Sequence, residues 1–170
     1  MPLRILLMLL LAVGIGSSCA TQPEGSYTLY LVRHSEKRAD EGKDPGLTDA
    51  GRYRSEQLAL WLQDKGIRKI WSSDYRRSRN TATPLLSTLA LELTLYDPGD
   101  LPALANKLRE SHQNALVVGH SNTTPDLTRL LCQCVISDMD ESEYNLLYVV
   151  SVSRNETKVD VLQQSVLFAY

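Results

Sequence analysis

Short apolar runs alternate along this chain with stretches whose apolar positions recur every three or four residues. The runs at 27–33, 68–73, 91–96 and 115–119 are bounded by polar residues and read as buried strands. Two later runs, 144–152 and 158–167, read as a hairpin turning around Arg154-Asn155. The helical pattern appears between them. One helix starts at Thr48, a side chain suited to an N-cap, and carries Leu58, Trp61 and Leu62 on one face. A second carries Ala82, Leu85, Leu86 and Leu89; Pro84 must kink it or start a new segment. A third follows Asp100 with Leu101, Leu104, Ala105 and Leu108 in register, and a fourth follows "SNTTP", where Pro125 suits a first helical turn. This alternation predicts a three-layer α/β/α domain around a central, mainly parallel sheet.

The four early runs share a feature that the fold makes meaningful. Each ends in polar residues: Arg33-His34, Ser72-Ser73-Asp74, Tyr96-Asp97 and His120-Ser121. In an open parallel sheet all of these carboxyl ends lie along one edge, where ligands bind. The pattern therefore gathers Arg33, His34, Asp97, His120 and the cluster Arg76-Arg77-Arg79 around one rim.

Bulk properties narrow the possibilities. At 170 residues a single domain is expected, and 43% hydrophobic with 22% charged residues is ordinary globular composition. A net charge of -2 argues against a nucleic-acid or anionic-membrane binder, which needs a basic face. Residues 1–18 differ from the rest: Arg4, an apolar run from Ile5 to Ile15, then Gly16-Ser17-Ser18, the anatomy of a secretory signal too short to span a bilayer. With Cys19 next, the segment also resembles a bacterial lipoprotein signal, which implies acylation at Cys19, a tether over 19–26 and a domain over 27–170. Export or membrane anchoring through that lipid is the expected location, and a membrane is expected as partner only in this way. An uncleaved anchor is the alternative. In an exported chain Cys132 and Cys134 are permitted a disulfide. Leu127, Leu130, Leu131 and Cys134 nevertheless fall at helical spacing, so Cys134 reads as a core thiol, and residues two apart on a helix point to different sides.

Two arginines and two histidines around one rim suit a phosphoryl group. Arginine offers a fork of donors matched to phosphate oxygens, and histidine is a neutral nucleophile near pH 7 that forms a phosphoramidate. Neighbouring positive charges keep such a histidine unprotonated. There is no Walker-type loop, no acidic cluster for Mg²⁺, and three histidines are too few for a His-rich metal site. No cofactor and no metal are expected.

Taken in order, "LVRHSEK", "LTDAGRYRSEQLALWL", "SSDYRRSRNTA" and "LVVGHSNT" resemble the histidine phosphatase superfamily, whose fold is phosphoglycerate mutase-like. The Arg-His-Gly strand end of that family falls on Arg33-His34-Ser35, with Ser in place of Gly. Its Ser-x-x-x-Arg-Ala-x-x-Thr-Ala motif falls on Ser73, Arg77, Thr81 and Ala82, with Ser78 in place of the first Ala, and its final histidine on His120. The resemblance implies that His34 is phosphorylated in line and then hydrolysed, with Arg33, Arg77 and His120 on the phosphoryl oxygens. Lys37 is a further candidate phosphate or substrate contact. Arg76 and Arg79 lie outside the motif register and read as solvated charges, His112 as a surface residue near a helix end, Asp44 and Asp49 as turn and helix-start residues, and Tyr144 and Tyr148 as packing residues.

An ester substrate also needs an acid for its leaving group. Relatives commonly supply a Glu after the third strand; here Asp97 stands there, with Glu36, Asp100 and Asp126 as competitors and a plain Asp97-Pro98-Gly99 turn as the alternative. The chain beyond the signal is too short for the insertions that enclose a mutase site. The expectation is therefore a phosphohydrolase acting on small phosphorylated substrates. A phosphohistidine-protein phosphatase and a non-catalytic phosphate-binding or scaffold lipoprotein remain as alternatives.

Overall fold

A computed structural model describes residues 25–168. The signal reading over 1–18, Cys19 and the tether as far as residue 24 lie outside the described residues. The order of elements is β1 (Tyr27–Arg33), α1 (Asp49–Leu62), β2 (Lys69–Ser73), α2 (Arg76–Leu89), β3 (Leu93–Tyr96), α3 (Leu101–Ser111), β4 (Ala115–Gly119), α4 (Thr123–Cys132), β5 (Leu146–Val152), β6 (Thr157–Gln163) and α5 (Gln164–Leu167).

The sheet order is β3-β2-β4-β1-β5-β6. Strands β1 to β4 pair in parallel, while β5 runs antiparallel to both β1 and β6. The period-two alternation of buried strands sends successive residues to opposite faces. Leu29, Leu31, Val117 and Val150 meet Leu104, Leu108, Leu127 and Leu131 of α3 and α4 on one side. Tyr30, Val32, Ile70 and Val118 meet Leu58, Leu62, Ala82 and Leu85 of α1 and α2 on the other. The result is the predicted three-layer arrangement, with the carboxyl ends of β1 to β4 on one edge. Among the described residues no helix is long and apolar enough to cross a membrane.

Helix α2 continues through Pro84, so of the two alternatives no new segment starts there. One local expectation changes. Helix α4 ends at Cys132 because Gln133 takes a left-handed conformation, φ 54°. Cys134 therefore leaves the helical register that made it a core position: it is exposed, and it forms a disulfide with Cys132. The objection from helix geometry fails because the two cysteines do not share a helix.

Candidate active site

Two glycines let the backbone close around the carboxyl edge. A Cβ on Gly51, in the first turn of α1, would lie 2.4 Å from the Glu36 carbonyl oxygen, so only glycine lets α1 press on the loop after β1. The same loop is pinned by the N-cap residue, since Thr48 N donates to Glu36 O at 2.9 Å. A Cβ on Gly119 would lie 2.8 and 2.9 Å from the hydroxyls of Thr123 and Thr124. Thr123 Oγ1 accepts the His120 N–H at 2.9 Å, which fixes the turn from β4 into α4.

His34 N donates to Gly119 O at 2.9 Å, which ties the ends of β1 and β4 together. The His34 ring is buried, with 2% exposure. Its Nδ1 is 2.8 Å from Ser35 O. A carbonyl only accepts, so Nδ1 carries the proton and Nε2 keeps the lone pair. Ser35, which stands where the family motif has Gly, has its hydroxyl 3.0 Å from Ser55 Oγ of α1, within the buried interior.

Arg33 is held by a cage. Its Nη1 donates to the carbonyl oxygens of Asp140, Glu141 and Glu143 at 3.2, 2.7 and 3.0 Å, and its guanidinium sits 4.1 Å from the centre of the Tyr144 ring. Its Nη2 meets Glu141 Oε2 at 3.0 Å, while its Nε is buried with no hydrogen-bond partner among the described residues. Arg77 follows the same design: its guanidinium lies 4.3 Å from the Tyr75 ring centre, and its buried Nε also has no partner among the described residues. His120 packs edge-on against Tyr75 at 5.0 Å and against His34 at 5.4 Å. Its Nε2 lies 3.0 Å from Ser73 Oγ, which is 2.9 Å from Ser78 Oγ.

Arg33, His34, Tyr75, Arg77 and His120 line one cavity of about 390 Å³, together with Lys37, Pro98, Gly99, Ser121 and Glu141. Burial, reinforced by Arg77, His120 and Arg33, pushes His34 down to about 3 against an opposing hydrogen bond to Ser35. Burial, with Arg77, Arg33 and Lys37, pushes His120 down to about 4, although Glu141 acts in the other direction. Both rings are therefore neutral near pH 7, and the positive charge of the cavity resides on Arg33, Arg77 and Lys37.

Of the residues gathered from sequence, Arg33, His34, Lys37, Arg77 and His120 come together in this cavity. Asp97 does not. Its exposed carboxylate accepts the Gly99 N–H at 2.8 Å in the turn into α3, and it is not among the residues lining the cavity. The competing acids are also engaged elsewhere: Glu36 pairs with Arg54 at 2.7 Å, Asp100 caps α3 through Ala103 N at 3.1 Å, and Asp126 pairs with Arg129 at 2.5 Å. Arg76 and Arg79 are ion-paired to Glu41 and Asp74, apart from the cavity. The carboxylate that does line it is Glu141, which sequence reasoning missed, as it missed the role of Tyr144 beneath Arg33. The available signal was the acidic stretch Asp138, Asp140, Glu141 and Glu143 directly before β5.

Residues 29–98 match the Histidine phosphatase superfamily (branch 1). The rat 6-phosphofructo-2-kinase/fructose-2,6-bisphosphatase 4 (Rattus norvegicus) is 38% identical over 64 residues, which are 34% of this chain and 14% of that protein's length. The structure of the protein histidine phosphatase SixA complexed with tungstate superposes with a TM-score of 0.69 at 20% identity, covering 82% of this chain and 99% of that one. The alpha-ribazole phosphatase from Shigella flexneri superposes with a TM-score of 0.65 at 16% identity, covering 80% and 96%. Residues 29–98 thus resemble the histidine phosphatase superfamily, and the described domain shares the fold of these solved phosphatase structures.

Proposed function

We propose that this protein is a phosphohydrolase that cleaves phosphomonoesters through a phosphohistidine at His34. The observation that carries the reading is a buried neutral imidazole, its Nε2 lone pair free, in a cavity flanked by two arginines whose buried Nε atoms have no partner among the described residues. In this reaction Nε2 attacks phosphorus in line, the N–P bond forms and the P–O bond to the leaving group breaks. Water then cleaves the N–P bond and regenerates His34. Arg33, Arg77, Lys37 and His120 stabilise charge on the three equatorial oxygens, the largest contribution in phosphoryl transfer. Arg33, Arg77 and Lys37 neutralise the phosphoryl charge in a mechanism that calls on no metal.

Trapping the intermediate tests this. During turnover, acid-labile and base-stable phosphate accumulates on His34, and His34→Ala abolishes activity. Arg77→Ala or His120→Ala lowers kcat roughly 10²–10³-fold, the cost of one transition-state donor. Full activity in His34→Ala defeats the reading.

A second reading is a phosphohistidine-protein phosphatase. It is favoured by the short connection, residues 97–100, between β3 and α3 at the rim, and by the likeness to SixA, whose structure is described as a protein histidine phosphatase. Turnover of phosphoramidates and phosphohistidine peptides far exceeding that of glycerol phosphate would select it. In either case we propose export, with acylation at Cys19, so that the substrate is met outside the cytoplasm. Fractionation tests this, and unprocessed chain in the cytosol would refute it.

A further inference from the structure

Glu141 is the only carboxylate among the described residues that line the cavity. Its Oε1 accepts from Ser121 Oγ, the residue after His120, and its Oε2 accepts from Arg33 Nη2 at 3.0 Å. Its side chain is 78% exposed, whereas His34 is 2% exposed. The nucleophile thus lies on the floor and the carboxylate at the mouth. In-line attack from the floor sends the leaving oxygen towards the mouth, because nucleophile and leaving group stand on opposite sides of phosphorus.

We propose that Glu141 is the acid–base residue of the reaction. In the first half its carboxyl proton passes to the departing oxygen as the P–O bond breaks and the bond from His34 Nε2 forms, leaving an alcohol and the Glu141 carboxylate. In the second half that carboxylate takes a proton from water as the water oxygen bonds to phosphorus and the N–P bond breaks. Phosphate is released, with Glu141 protonated and ready for the next cycle. The assignment rests on the phosphohistidine reading above.

The resting contacts explain how one side chain serves both steps. A phosphate that enters beside Arg33 competes with the Glu141 carboxylate for Nη2, to which Oε2 lies at 3.0 Å. The residue cannot go far, since the Glu141 backbone oxygen stays on Arg33 Nη1 at 2.7 Å. Before substrate arrives, the hydrogen bond from Ser121, with Arg33 and Lys37, holds the carboxyl below its ordinary value despite the opposing cost of burial. A phosphate that claims Arg33 and Lys37 removes that support and adds negative charge, so the carboxyl gains a proton as substrate binds. Glu141 lines the cavity, whereas Asp97 does not and accepts the Gly99 N–H in the adjoining turn, so Glu141 is the better placed of the two.

The test is Glu141→Gln, which keeps the shape and the capacity to hydrogen-bond, compared on an alkyl phosphate and on p-nitrophenyl phosphate. Turnover of the alkyl ester is expected to fall about 10²–10³-fold, within the range for losing a general acid. On p-nitrophenyl phosphate, whose leaving group needs no proton, the variant releases one equivalent of nitrophenol in a burst. It then stalls with phosphate on His34, since the hydrolysis step has lost its base. Equal losses on both esters without a burst, or unchanged or raised turnover of the alkyl ester, would overturn the assignment. These outcomes are distinct from failure of the underlying reading, in which His34→Ala stays active on both substrates.

Discussion

The hydroxyl of Thr81 accepts the backbone N–H of Ser35 at 2.9 Å, and it donates to the carbonyl oxygen of Arg77 at 2.8 Å. One side chain of α2 therefore sets the distance between the loop that follows His34 and the helix that carries Arg77. This bond gives the Thr of the family motif a physical task, since His34 sits directly before the amide that Thr81 holds. Thr81→Val keeps the shape and removes the acceptor, leaving the buried Ser35 N–H unpaired at a cost of about 1–3 kcal/mol. Thermal unfolding should show that loss, and kcat should fall roughly tenfold, because small misplacements of reacting groups are expensive. Thr81→Ser, which restores the hydroxyl, should recover most of both.

The two depressed histidines make stability depend on pH in a definite direction. An unfolded histidine takes up its proton near 6.5, whereas in the folded protein His34 does so at about 3 and His120 at about 4. As pH falls below 6.5 the unfolded chain binds protons that the folded chain refuses. The stability of the folded state is therefore complete above that pH and declines towards 4 and 3. For His34 the decline is at most about 1.4 kcal/mol per pH unit. Glu36 and Glu141, both held below the ordinary carboxyl range, add their own loss only further down, below about 4.5. Melting temperatures at pH 8, 6 and 5 should fall less steeply for His34→Asn than for the parent chain. Identical slopes would mean that His34 is not the buried neutral imidazole of this cavity.

Much of the cavity was legible in the sequence because β1 and β4 end where their apolar runs end, and a parallel sheet puts those ends together. Arg33, His34 and His120 follow from that alone, and Arg77 from the motif register. Asp97 lay at the right strand end, but strand position does not fix where a short side chain points: Gly99, two residues on, captures its carboxylate in a turn. Glu141 and Tyr144 sit in the segment between α4 and β5, which has no periodicity to read, and their partner Arg33 is more than a hundred residues away. Periodicity also misled at Cys134, where it carried the helix of α4 past the left-handed Gln133.

The Cys132–Cys134 bridge closes a ring of only a few residues, so it removes little freedom from the unfolded chain, worth roughly 1–2 kcal/mol in the entropy model. It also lies away from the residues that line the cavity around His34. Replacing both cysteines with serine should lower the melting temperature by no more than a few degrees and leave turnover of the proposed phosphoester substrates unchanged. A large loss of activity would show that the bridge orders the 133–145 segment that cages Arg33.

Gly119 offers the sharpest separation of packing from chemistry. Its missing Cβ is what lets Thr123 Oγ1 and Thr124 Oγ1 approach, and Tyr96 Oη would be 3.1 Å from that carbon as well. Each hydroxyl is already committed: Thr123 holds the His120 N–H, Thr124 lies 3.3 Å from Val32 O, and Tyr96 donates to Val118 O at 3.2 Å. A methyl group in Gly119→Ala must push at least one of them aside, an overpacking cost of about 1–3 kcal/mol. The displaced Thr123 would release the His120 backbone and with it the alignment of the imidazole on Ser73. The expected result is a lower melting temperature and a drop in kcat of more than about tenfold. Adding Thr123→Ala removes the nearest of the three clashes, leaves Thr124 Oγ1 at 2.9 Å, and cannot restore the bond to His120. The double variant should therefore regain part of the stability lost in Gly119→Ala while its kcat stays low. Recovery of both together would mean that the Thr123 hydroxyl has no part in positioning His120.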